Sequence, residues 1–139
     1  MAFTIRRADY YYTTIADEPG SGYALLGQLA QLGVNLLAFT GVPIGPGRTQ
    51  LTLFPEDGAR LQAAARQAGL ALDGPHHALL VQGDDELGAL AGIHERLSEA
   101  RVNVFASSGV TDGRGSFGYV LYVRPEDFDR ASATAALTS

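Results

Sequence analysis

Two four-residue clusters carry the most suggestive chemistry in this chain: Asp17-Glu18-Pro19-Gly20 and Asp85-Glu86-Leu87-Gly88. In each, acids precede a glycine turn, and an apolar run with helical spacing follows. A tight turn feeding a helix exposes backbone N–H groups and the positive end of the helix dipole, which suit a carboxylate. Asp17 and Asp85 stand where they can hold an ammonium group. Asn35 and Asn103 follow the two apolar runs, and an amide that both donates and accepts can contact both ends of a zwitterion. The bland reading gives the aspartates to turns or helix caps and the asparagines to loop backbone. Recurrence of Asn at the start of an expected strand, where it is unfavourable, favours a binding role.

Other groups of reactive side chains fail on geometry. His76 and His77 are adjacent in a strand-like stretch, and neighbours on a strand point to opposite faces, so they do not make a metal site. Ser107 and Ser108 with His94 lack the elbow motif of a hydrolase. Gly113-Arg114-Gly115-Ser116-Phe117-Gly118 spells GxGxxG, yet it lies between two expected strands, where no helix N-terminus can receive a pyrophosphate. Cysteine is absent, which excludes thiolate nucleophiles and Cys-based metal centres. No cofactor, metal or catalytic residue is expected.

The elements that would position these clusters recur. Asp17 returns as Asp85, an offset of 85 − 17 = 68, and Gly33-Val34-Asn35-Leu36 returns as Arg101-Val102-Asn103-Val104 at the same offset. Pro55-Glu56-Asp57 returns as Pro125-Glu126-Asp127 two residues later than that offset, and the Gly-rich stretch from Asp112 to Ser116 is the expected place for the two extra residues. In the first copy Tyr10 to Ala16 reads as a strand, with the three tyrosine rings as strand packing. Leu25, Leu29 and Leu32 then line one helix face. Val34 to Ile44 and Thr49 to Phe54 form a hairpin across Gly45-Pro46-Gly47. Pro55 is expected to open a second helix that ends at Gly69, and Leu70-Ala71-Leu72 to be a fourth strand. The sum is an α+β chain of two ferredoxin-like βαββαβ repeats, antiparallel sheets with helices on one face, over 1–74 and 75–139. The second copy ends soon after its last helix. Residues 2–6, with Phe3 and Ile5, can supply the strand that completes it.

With 139 residues, 46% hydrophobic and 18% charged, the chain can bury a core without disulfides or metal. Its formal charge of -5 argues against a nucleic-acid partner, which selects a basic face. No apolar run approaches membrane-spanning length, and the N-terminus has the wrong charge order for a secretory signal, so a soluble cytoplasmic protein is expected.

Ile15-Ala16-Asp17-Glu18-Pro19-Gly20, an apolar helix and then Gly33-Val34-Asn35-Leu36 resemble the ACT domain, the amino-acid-sensing module of many metabolic enzymes, and the resemblance covers nearly the whole chain twice. It implies a stand-alone tandem ACT protein: regulatory, non-catalytic and homodimeric, with an amino acid bound between paired ACT units and a metabolic enzyme as possible partner. Carried over by position, the binding residues are Asp17, Glu18, Pro19, Gly20 and Asn35 in the first copy and Asp85, Glu86, Leu87, Gly88 and Asn103 in the second. Leu87 departs from the proline of the pattern, which implies a looser second turn and a tighter first site. The competing readings are a ligand-free protein-interaction module and a small ferredoxin-like enzyme.

Overall fold

The computed structural model describes residues 3–138, with side chains through residue 134. In chain order the elements are β1 (Phe3–Ala16), α1 (Ser21–Gln31), β2 (Leu36–Gly45), β3 (Arg48–Pro55), α2 (Gly58–Ala68), β4 (Asp73–Asp84), α3 (Ala89–Glu99), β5 (Val104–Thr111), β6 (Ser116–Val123), a 3-10 turn (Pro125–Asp127) and α4 (Phe128–Thr138). Contacts group residues 9–76 into one compact unit and residues 1–8 with 77–139 into another.

In the unit of residues 9–76 the strands run β2-β3-β1, with the first residues of β4 beside β1. Both pairings with β3 are antiparallel, Tyr11 lying opposite Leu53 and Gly41 opposite Leu51. Alternation along β1 and β3 puts Tyr11, Leu51 and Leu53 on one face. There they meet Leu25 and Leu29, one turn apart on α1, and Leu61 and Ala64 on α2. The three consecutive tyrosines divide as a strand requires. Tyr11 enters this core and its hydroxyl accepts from Gln62 Nε2 at 2.7 Å, while Tyr10 packs on Phe54 and His76, with ring centroids 5.1 and 5.3 Å apart.

The other unit repeats the plan, with the first residues of β1 beside β4 and the order β4-β6-β5 beyond. Leu79, Val81 and Leu121 face Ile93 and Leu97 of α3 and Phe128 and Ala131 of α4, and Phe3 and Ile5 pack against that core. The Arg7 guanidinium lies over the Phe128 ring, 4.8 Å from its centroid, and His77 stacks on the same ring with centroids 5.3 Å apart. The two histidines are thus separately engaged with aromatic neighbours. Ala2, the first residue of the expected N-terminal strand, lies outside the described residues.

Three local expectations are corrected. The two extra residues are not in the Gly-rich hairpin: Pro43 opposes Thr49 and Thr111 opposes Phe117, so both hairpins have the same length and the strands keep the offset of 68 throughout. The insertion falls after β6, where Arg124 and Pro125 lead into the 3-10 turn before α4. Pro55 does not open a helix either. It is the buried last residue of β3, and Asp57 caps α2 instead, its carboxylate accepting from Ala59 N and Arg60 N at 3.1 and 3.3 Å. Leu70 to Leu72 is not a strand, because β4 begins at Asp73. Its backbone is held by a side chain, Thr13 Oγ1 donating to Ala71 O at 2.9 Å.

Candidate functional site

The two acidic loops are built alike. Asp17 N donates to Gly47 O at 2.9 Å and Asp85 N to Gly115 O at 2.8 Å, which ties each loop to the tip of its own hairpin. Ser21 N donates to Glu18 O and Ala89 N to Glu86 O, closing the turn in both. Gly20 and Gly88 then take φ of 89° and 81° as the residues before α1 and α3. That left-handed conformation strains any residue with a Cβ, so glycine is strongly favoured at both. Neither helix has a side-chain cap, and the first-turn N–H groups of Leu90 and Ala91 point beyond the helix as donors. The first loop has one further bond, Glu18 N donating to Ala16 O at 3.0 Å. The hydrogen bonds and the left-handed glycine define the turn without proline.

The surroundings of the loops differ. Asp85, Glu86, Leu87 and Gly88 line a cavity of about 670 Å³ together with the start of α3 and the ends of β5 and β6. Its inner wall is made by the buried Ala89, Phe117 and Tyr119. Tyr119 turns its hydroxyl out of that wall to His94 Nε2 at 2.7 Å, and its ring lies where a Cβ on Gly109 would approach Cδ1 to 2.7 Å. The close approach of β5 to the ring therefore depends on Gly109. Asp85 and Glu86 are exposed at the mouth.

The asparagines stand elsewhere. Asp17 precedes α1 and Asn35 follows it, so the two are separated by an 11-residue helix, about 16 Å long. Asp85 and Asn103 flank α3 in the same way. Within a repeat, neither pair can reach the two ends of one small zwitterion. Asn35 Nδ2 donates to Glu56 Oε2 at 2.9 Å, and Glu56 N donates back to Asn35 O at 2.8 Å. These bonds fasten the start of β2 to the loop before α2. Asn35 shares a small pocket with Gly33 and Arg60. Asn103 lines a separate cavity of about 420 Å³ with His94, Ser98 and Arg101.

Sequence reading missed the arginines Arg60 and Arg130, which sit at matching places in α2 and α4. Arg130 donates to Ala100 O at 2.8 Å and Arg101 O at 3.0 Å and pairs with Asp127 at 2.7 Å, satisfying carbonyls at the end of α3. Arg60 lies against Gly33 at the end of α1. The shared Arg at an offset of 70, two residues more than the strands, was the available signal. Phe117, Tyr119 and Leu90 left no such trace, since their counterparts Thr49, Leu51 and Gly22 are different residues. The repeated glycines Gly41 and Gly109 did mark the close approach beside them.

No protein-family model and no curated protein matches the sequence. Solved structures do match. A Bacteroides thetaiotaomicron protein, 16% identical, aligns with a TM-score of 0.79 over 96% of this chain and 90% of its own. The ligand-free regulatory subunit of aspartate kinase from Thermus thermophilus is 12% identical, with a TM-score of 0.65 over 99% of this chain and 96% of its own. E. coli aspartokinase III in complex with lysine and aspartate is 15% identical and aligns at 0.55 over 99% of this chain and 32% of its own. The repeated α+β architecture is the tandem ACT fold. No helix among the described residues is long and apolar enough to cross a membrane.

Proposed function

We propose that this chain is a non-catalytic cytoplasmic regulator that binds an amino acid at its ACT repeats, 1–74 and 75–139, with the N-terminal strand serving the second. The observation that carries this reading is the loop built twice to one plan: an anchored acidic turn, a left-handed glycine and an uncapped helix start. Free N–H groups suit a carboxylate and the neighbouring acids suit an ammonium group. The likeness to an aspartate kinase regulatory subunit supports a regulatory role with a metabolic enzyme as partner. In this reading Asn35 and Asn103 complete sites formed where ACT units of two chains pair, since neither reaches the loop of its own repeat.

Pairing of two copies is supported by the edge strands. The exposed β2 and β5 carry Phe39, Val42 and Ile44, and Phe105 and Val110, among the exposed large apolar side chains, and an unpaired strand edge with apolar residues favours association. A sedimentation mass of one chain at micromolar concentration would refute the dimer.

Sensing is tested by a thermal-shift screen of free amino acids on the full chain. A ligand at a hundredfold excess over its Kd adds about 2.7 kcal/mol, enough to raise the midpoint by several degrees. Asn35→Ala and Asn103→Ala are expected to weaken the ligand so found. A flat response to every amino acid would overturn the reading and leave a ligand-free interaction module.

A further inference from the structure

The two loops share a backbone but face different walls. At the offset of 68, Ala89, Leu90, Ala91 and Phe117 correspond to Ser21, Gly22, Tyr23 and Thr49. Three apolar groups around the second loop are thus replaced by small or polar residues at the first, and the alanine is replaced by a tyrosine that is 84% exposed. The cavity at the second loop, about 670 Å³, falls within the size range of pockets that enclose a small ligand. Its charges are ordered by depth. Asp85 and Glu86 are the only charged lining residues, and both are exposed at the mouth. The buried wall of Ala89, Phe117 and Tyr119 presents carbon, with the Tyr119 hydroxyl already engaged by His94.

Resting on the amino-acid-sensing reading above, the geometry points to the second repeat as the primary site, and to an amino acid with an apolar, uncharged side chain as its ligand. The ammonium group stays at the mouth with Asp85 and Glu86, and the side chain lies against Phe117 and Leu90. A dicarboxylic amino acid brings a further carboxylate toward two acids. A lysine turned inward loses hydration of its ammonium against a wall that offers no counter-charge. The second loop keeps the anchoring bond of Asp85 N, the closing bond of Ala89 N and the left-handed Gly88, so the site is framed without the proline, although the first loop adds a bond from Glu18 N to Ala16 O at 3.0 Å.

The test is calorimetry on the full chain with leucine, isoleucine, methionine and phenylalanine against aspartate, glutamate, lysine and arginine. Ala91→Tyr carries the residue of the first repeat to an exposed position of the second and narrows the cavity, and Tyr23→Ala is its control. Ala91→Leu provides a second blocking variant should the tyrosine disturb α3. Apolar amino acids are expected to bind best, at least tenfold more weakly in Ala91→Tyr and unchanged in Tyr23→Ala. A charged amino acid binding more tightly than every apolar one overturns this inference and leaves sensing intact, as does full affinity retained in both Ala91 variants. Absence of binding by all eight overturns this inference, and a flat thermal-shift response to every amino acid overturns the sensing reading itself.

Discussion

The first repeat sets Ser21, Gly22 and Thr49 beside its acidic loop and ties its asparagine to Glu56, whereas the second lines a cavity with Leu90 and Phe117 and leaves Asn103 beside another cavity. Both nevertheless anchor and close the loop with the same two hydrogen bonds. A duplicated backbone thus preserves the frame while side chains diverge around it. Backbone amides hold the turn regardless of neighbouring identity, whereas a cavity depends on each volume that borders it.

The sharpest way to break the comparison is to take away the N-terminal strand. Removal of residues 1–7 exposes the core surface under Phe3 and Ile5 and removes backbone pairing, a loss of about 3 to 5 kcal/mol from partial burial and several hydrogen bonds. Residues 9–76 have their own core, so urea unfolding should show the damage confined to the other unit. An unchanged melting temperature would contradict this.

A smaller effect separates the paired strand glycines. A Cβ at Gly109 meets the Tyr119 ring at 2.7 Å and Gly118 O at 3.3 Å, whereas at Gly41 it meets the end of the Leu51 side chain at 3.2 Å. A ring and a carbonyl yield less readily than a leucine methyl. Gly109→Ala should cost about 1 to 3 kcal/mol, as overpacking does, and Gly41→Ala clearly less. Equal losses in chemical denaturation would show that the two sites are packed alike.

The smallest effect has the opposite sign. Arg101, at φ 60°, is the only non-glycine residue with positive φ among the described residues, and Gly33 holds the same place in the first repeat at φ 79°. Glycine adopts this conformation without the Cβ strain. Arg101→Gly should therefore stabilise the chain by about 0.5 to 1 kcal/mol, read as a rise in the denaturation midpoint. A fall would mean that the arginine side chain contributes more than the strain it imposes.

Much of this molecule was legible in its residues because the signals were local. Leucines one turn apart marked α1, alternation marked the inward residues of β1 and β3, and the repeated Asp and Gly marked two loops that the fold builds alike. These follow from backbone conformations that a few neighbouring residues decide. Tertiary structure alone decided that Pro55 ends a strand, since whether a proline closes one element or opens the next depends on pairing with β2. It also decided that the two-residue insertion falls after β6, ahead of the 3-10 turn at Pro125, because glycine-rich hairpins tolerate insertions and only strand register shows that this one has none. Asn35 was read as a ligand-binding amide, and its bond to Glu56 joins residues 21 apart in sequence. The cavity at the second loop arises from side-chain volumes brought together by α3, β5 and β6, contacts that no spacing along the chain expresses.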